Sequence, residues 1–232
     1  MKNLIKIVAA GSLLLAATTM AHADEQSIDA NTVRVGLYYI HYLSSADDLS
    51  GPYVPSGVNL SVEDVTTLYL AYVRRLSVHF DVELAAGVPP LTKTEGRGPA
   101  QLGSVPYNGE VISSARWFAP TLLLNYKFFD DSAPLRPYIG IGVNYVNFYD
   151  RRSTAAGNAA SGGPTSISLP SSWGPAGTVG LRYQLPGSWS FYASYSASMV
   201  NSKLTANTAG VIRTSEIHFG PQALVFSLGY SF

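Results

Sequence analysis

The chain has 232 residues, 47% apolar, 12% aromatic and only 13% charged, with 15 basic residues against 15 acidic ones and no cysteine. That charge is about half the usual share of a soluble domain. The even balance excludes a basic nucleic-acid footprint, and the missing cysteine excludes disulfides, thiolate metal sites and cysteine nucleophiles. After residue 23 no run of about 18 uninterrupted apolar residues remains for a transmembrane helix, so closure into a β-barrel is the route left into a bilayer.

The first 23 residues read as a secretory signal peptide. Lys2 and Lys6 form the basic start, residues 7–20 the apolar stretch, and Ala21-His22-Ala23 the small-residue cleavage site. Cleavage there leaves one domain, 24–232, with 13 basic residues against 15 acidic ones.

Two-faced segments of about ten residues then recur, as spanning strands require. Residues 31–42 carry Val33, Val35, Leu37 and Tyr39 on one face, and 65–74 carry Leu68, Leu70 and Tyr72. In 77–88, Val78, Phe80, Val82, Leu84, Ala86 and Val88 oppose Ser77, His79, Asp81, Glu83, Ala85 and Gly87. A one-residue slip would put both carboxylates into hydrocarbon. Residues 116–129 carry Phe118, Leu122, Leu124, Tyr126 and Phe128 opposite Trp117, Thr121, Asn125 and Lys127. In 136–149, Ile139, Ile141, Val143 and Tyr145 oppose Gly140, Gly142 and Asn144. Residues 173–184 present Val179, Leu181 and Tyr183, and 189–199 present Phe191, Ala193 and Tyr195. The last segment, 223–232, alternates Leu224, Phe226, Leu228, Tyr230 and Phe232 with mostly small residues. These elements predict an all-β fold: an eight-stranded antiparallel transmembrane β-barrel, formed after removal of the signal peptide.

The connections alternate between short (74–75, 130–135, 185–188) and long (43–62, 89–115, 150–172, 200–218). Outer-membrane barrels pair short periplasmic turns with longer external loops, so both termini are expected in the periplasm and four long loops outside. The loops are rich in Gly, Ser, Pro, Asn and Thr, with no evident β-rich extension of the strands. Residues 96–99 and 155–163 read as mobile surface loops without a helix.

Eight strands leave an interior just wide enough for side chains or one small ligand, which excludes a general porin. The inward faces carry a lumen charge network of Arg34, His79, Asp81, Glu83, Lys127 and Arg182. The apolar or aromatic set there is Tyr38, Ile40, Tyr69, Trp117, Leu123, Val146, Tyr192 and Val225. Two readings stay open: a buried ion-pair plug alone, or a plug with an apolar passage toward the external side. Trp173 reads either as a gate at the lumen mouth or as an interface aromatic. His79, Asp81 and Glu83 share one face, yet no serine nucleophile accompanies them, so no enzyme is expected. Four scattered histidines give no metal-ligand spacing, and neither a metal nor a cofactor is expected.

Several stretches resemble the OmpW family of small outer-membrane barrels. They are Val82-Glu83-Leu84-Ala85-Ala86-Gly87-Val88-Pro89, Phe118-Ala119-Pro120-Thr121-Leu122, and the run from Leu135-Arg136-Pro137-Tyr138 to Tyr145. Phe148-Tyr149-Asp150, Ser172-Trp173-Gly174-Pro175-Ala176-Gly177 and the closing Gly229-Tyr230-Ser231-Phe232 complete the set. The resemblance implies a monomeric barrel of the Gram-negative outer membrane with a narrow, unusually apolar lumen. It further implies passage of small hydrophobic molecules, with a side exit into the bilayer. The expected partners are outer-membrane lipids, small hydrophobic molecules and, during insertion, the barrel-assembly machinery. Alternatives are a structural or surface-interaction barrel with a plugged lumen and, more remotely, a lipid-modifying enzyme.

Overall fold

A computed structural model describes residues 30–102 and 105–232. The expected signal peptide, 1–23, and the domain start at 24 lie outside the described residues. In chain order, β1 (Asn31–Tyr42), β2 (Ser45–Ala46) and β3 (Asn59–Val62) lead to β4 (Val65–Arg75) and β5 (Phe80–Gly87). Next come β6 (Leu91–Arg97), β7 (Gln101–Leu102), β8 (Val105–Pro106), β9 (Val111–Phe118) and β10 (Thr121–Lys127). After β11 (Leu135–Ser153) follow helix α1 (Ala155–Ser161), β12 (Thr165–Ser168), β13 (Ser172–Gln184) and β14 (Trp189–Ser198). A hairpin of β15 (Asn201–Thr208) and β16 (Val211–His218) precedes β17 (Pro221–Ser231).

Eight of these strands close an antiparallel barrel in the order β10-β5-β4-β1-β17-β14-β13-β11, and β10 pairs with β11 to complete the ring. Pairing follows the two-faced pattern. Leu37 lies between Phe226 and Leu68, and Val35 between Leu228 and Leu70, so rows of large apolar side chains cover the outer wall. Ile141 is 75% exposed there, whereas Arg34 on the inner face is 1% exposed. The small inner positions have a packing reason. A Cβ at Gly180 would strike the Tyr138 ring, and one at Gly229 the Tyr192 ring.

The segment expected as one strand over 116–129 is divided. β9 ends at Phe118, Ala119-Pro120 interrupts, and β10 starts at Thr121. Both halves pair with β11, but the other neighbour changes from β5 to β6. β5 itself stops before Val88-Pro89-Pro90, because proline supplies no ladder N–H. Between the pairs Ala85–Thr121 and Leu91–Arg116 these two strands therefore share no ladder, and the wall has a gap. The Arg116 guanidinium reaches across it to the Pro89 carbonyl at 3.2 Å.

The long loops correct the expectation of mobile connections lacking β-structure. β3, β6 and β9 stack onto the upper half of the 19-residue β11, and β12-β15-β16-β2 form a second sheet over the mouth. Residues 96–99 are not a free loop, since Arg97 ends β6 and Gly98 turns with φ +117°. Residues 155–161 are helical: Thr154 caps α1 by accepting from the Gly157 N–H at 3.0 Å, and Gly162 ends it in the left-handed region. Inward Leu60, Val62, Leu204 and Ile217 from these sheets join Ile40, Trp117, Val146 and Phe148 in one apolar cluster. The loops were misread because their inward apolar residues are sparse among Ser, Thr, Asn and Gly, which hides a period of two.

A cation on the mid-wall face must lose its hydration to lipid, at a cost of about 2–4 kcal/mol. Leu37→Arg should lower stability by that amount in denaturant titrations in lipid vesicles. Ile212→Arg, on the exposed face of β16, should stay within about 0.5 kcal/mol of the parent.

Candidate functional site

The lumen is built from the inward side chains in layers. At the short-turn end, Arg34 of β1 donates to Glu83 of β5 at 2.8 Å and to the Ser227 hydroxyl of β17 at 3.2 Å. Its guanidinium lies over the Tyr192 ring, 4.1 Å from the centroid, and 5.2 Å from that of Tyr69, a cation–π sandwich. The Tyr69 hydroxyl also donates to Glu83. Asn125 bridges Glu83 and Asp81, at 3.0 Å to each, and Lys127 pairs with Asp81 at 3.0 Å. Both members of the Arg34–Glu83 pair are almost wholly buried, a situation tolerable only because every charge has an opposite partner. Below this plug, Arg182 holds Ser190 and Gln184 beside Asp81 and Lys127 in a polar vestibule.

Above the plug the chemistry changes. A first cavity is bounded by Tyr38, Tyr69, Leu123, Ala223 and Val225, with small or hydroxylated residues such as Ala85, Thr178 and Ser194. Its lining reaches Gly87, Ala119 and Thr121, at the gap in the wall. A second cavity lies toward the long-loop end, lined by Ile40, Trp117, Val146, Phe148, Leu204 and Ile217. The two share Tyr38, Ala119, Asn144, Ser198 and Pro221 as lining, and so adjoin. Trp117 keeps its indole N–H satisfied by donating to Thr92 at 2.9 Å, leaving its ring free to line the wall.

Of the lumen-lining residues read from sequence, Tyr38, Tyr69 and Leu123 border the first cavity and Trp117 the second, while Tyr192 belongs to the plug. The charge network brings Arg34, Asp81, Glu83 and Lys127 together, with Arg182 beside them. His79 does not join it. It precedes β5, stacks on the outward Tyr126 ring at 5.7 Å and donates from Nδ1 to the Lys127 carbonyl at 3.0 Å. The turn begins before the strand pattern does, so alternation could not fix its direction. Trp173 is likewise no gate. It is 71% exposed on the outer wall and packs against Tyr145 at 4.6 Å, which the parity of Val179 and Leu181 already requires. Sequence reading placed Asn125, Ser190 and Ser227 on inner faces by alternation but assigned them no part in binding the charges, which polar parity alone does not reveal. Among the described residues no group of three His, Asp or Glu is placed to hold a metal ion.

At the top of β1, outside the lumen, Asp64 accepts from Tyr39 at 2.8 Å, from His41 Nδ1 at 2.9 Å and from the Tyr42 N–H at 3.1 Å. Slight burial works against its ionisation, but these bonds, His41 first, outweigh it and hold the carboxyl below its ordinary range.

The model of the OmpW family matches residues 30–232. Outer membrane protein W of Vibrio cholerae is 27% identical over 232 residues, covering all of both chains. A Pseudomonas aeruginosa protein named dibenzothiophene metabolism operon protein PahQ is 29% identical, covering 68% of this chain and 67% of its own. Among solved structures, the outer membrane protein OprG from Pseudomonas aeruginosa superposes with a TM-score of 0.78 at 23% identity, covering 87% of this chain and 95% of that one.

Removing Glu83 leaves a buried guanidinium without its countercharge, a loss of about 3–5 kcal/mol. Glu83→Ala should show it as a lowered denaturation midpoint, and Arg34→Met/Glu83→Met, which removes both charges, should recover most of it. Asp64 acts at low pH. A carboxyl depressed in the folded state stabilises above the ordinary carboxylate pKa of about 3.9, and that contribution fades as pH falls through the lowered value. The drop in stability between pH 7 and pH 3 should therefore be smaller for Asp64→Asn than for the parent.

Proposed function

The chain belongs to the OmpW family of outer-membrane β-barrels, and from that premise we propose that it lets small hydrophobic molecules cross the outer leaflet through its lumen. The observation that carries this reading is the pair of adjoining cavities, the upper one apolar, that run from under the long loops to the wall gap, above the charged plug. In this reading the long loops face outside. A hydrophobic solute leaves water among Leu204, Ile217 and Phe148, where apolar contact replaces hydration. It moves down past Trp117 and Tyr38. The plug blocks the straight path, because passing it would separate the desolvated Arg34 and Glu83 charges. The remaining way out is sideways, between the end of the β5–β10 ladder and the start of the β6–β9 ladder, where Pro89, Pro90 and Pro120 interrupt the pairing. An apolar solute gains nothing by entering the polar vestibule and everything by entering hydrocarbon. An eight-stranded interior suits one small ligand rather than a hydrated stream. The relative named for a dibenzothiophene metabolism operon supports an apolar cargo.

The second reading, a structural or surface-interaction barrel with a closed lumen, is favoured by the plug itself. Uptake separates the two. Liposomes carrying the pure protein should take up a fluorescent hydrophobic probe faster than liposomes carrying an inert barrel of the same strand number. Equal rates refute the passage. Ala119 sits where both cavities and the gap meet, so Ala119→Trp should slow uptake at least fivefold while the circular dichroism spectrum is unchanged. Trp173→Ala, outside the lumen, should leave the rate as it was.

A further inference from the structure

The outer wall above the apolar belt is not uniform around the mouth. On the sheet formed by β6, β9 and the upper part of β11, the side chains at Thr92, Ala115, Trp117, Val146 and Phe148 line the inner cavity. Alternation therefore turns Lys93, Ser114, Arg116 and Tyr149 outward. Ser114 has Lys93 as its neighbour on one side and Arg152 on the other, and Arg116 lies between Leu91 and Tyr149 one row below. Lys93 and Arg152 thus stand two strand spacings, about 10 Å, apart, with Arg116 beneath them. Two carboxylates stand among them: Asp150 accepts from Arg152 Nε at 2.8 Å and lies 3.7 Å from Arg116 Nε, and Glu63, whose N–H bonds the Lys93 carbonyl at 3.1 Å, follows Val62 in register beside Lys93. Three cations against two carboxylates leave the face with an excess of one positive charge. Nearby Arg97 is matched by Glu95 at 2.8 Å, and Arg151 is turned onto the Phe148 and Leu169 carbonyls. Across the mouth, Lys203 is directly opposed by Glu216.

The position of this excess matters as much as its sign. Following β11 downward from Arg152 leads through Tyr149 and Tyr145 to the exposed Val143 and Ile141 of the lipid-facing wall. Cations stand directly over a greasy surface. A ligand that fits both is an amphiphile whose anionic group lies at the level of the arginines while its acyl chains cover the aliphatics below. Guanidinium forks match phosphate oxygens two at a time, and such contacts are about twice as strong as neutral hydrogen bonds. A soluble acidic protein would use the charge and leave the belt unused.

We propose that the face made by Lys93, Arg116 and Arg152 binds the phosphate groups of a phosphorylated glycolipid in the leaflet at the long-loop end. The inference rests on the outward orientation of the long loops but not on solute passage.

The test uses the full-length mature protein in non-ionic detergent, titrated with a bisphosphorylated diglucosamine lipid and with its dephosphorylated counterpart carrying the same acyl chains. Native mass spectrometry counts the lipid retained. The phosphorylated form should bind at least tenfold more tightly, and raised salt should erode the difference. Lys93→Gln/Arg116→Gln/Arg152→Gln should abolish the preference. Lys93→Gln/Arg152→Gln, which spares the Arg116–Pro89 bridge, should reduce it at least threefold, and Lys203→Gln should leave it intact. Inorganic phosphate at equal concentration should not displace the lipid. Equal binding of the two lipids, a preference that survives the triple substitution, or full displacement by inorganic phosphate would each overturn the proposal. Labelling of Ile212→Cys on intact cells reports the loop orientation separately, and a failed uptake assay leaves this binding result untouched.

Discussion

A strand in a closed cylinder has two places for each side chain, hydrocarbon outside or a narrow interior, and backbone geometry assigns them strictly in turn. Because the cylinder has no edge, no backbone group goes unpaired in lipid except where the ladder is deliberately broken. Everything distinctive in this protein follows from that alternation. It places Leu37, Ile141 and Phe226 against lipid and sends Arg34, Asp81, Glu83 and Lys127 inward, where one another and the inward Tyr69, Asn125 and Ser227 satisfy them. The plug is therefore less an addition to the barrel than the form its interior takes when charged residues occupy consecutive inward positions at one end.

The other end is governed by the same rule with different residues. Ile40 and Ala223 occupy inward positions at the top of β1 and β17, and the loop sheets continue the inner surface upward with Leu60, Val62, Leu204 and Ile217. The lumen is thus graded, charged and full near the short turns, apolar and open near the long loops. Such a gradient is what the proposed passage of hydrophobic solutes requires. The wall gap beside its lower end has a local cause. Three prolines, at 89, 90 and 120, fall on neighbouring strands at the same height, so two ladders end together.

How far the sequence could be read depended on how strongly each segment announced a period of two. Residues 31–42 carry an unbroken outward row of Val33, Val35, Leu37 and Tyr39, and 173–184 one of Val179, Leu181 and Tyr183, and their strands were legible almost to the residue. The plug charges were legible as a face, because a slip of register would be ruinous. Less legible were elements whose pattern is carried by few residues. In β15–β16 the inward row is held by Ser202, Leu204, Ser215 and Ile217, too polar on average to stand out, although Asn207, which accepts from the Gly210 N–H at 2.9 Å, marks the hairpin turn. Helix α1 is seven residues long, short enough that capping by Thr154 and packing decide it rather than periodicity. The misplacement of His79 has a related origin, since parity has meaning only inside a strand and the strand begins at Phe80.

The seam between β1 and β17 has a kinetic consequence. Asn31 and Phe232 exchange backbone hydrogen bonds at 3.1 and 2.9 Å although 201 positions separate them along the chain. Each other neighbouring pair in the ring joins strands far closer in sequence, so hairpins can assemble in order of synthesis while the seam waits. Loop-closure entropy makes that final zippering the slow, topologically costly event. Until it happens the half-made sheet carries two raw margins, each able to pair with the wrong chain. For this molecule the interval before the seam closes, not the strength of the finished wall, is when mispairing threatens most.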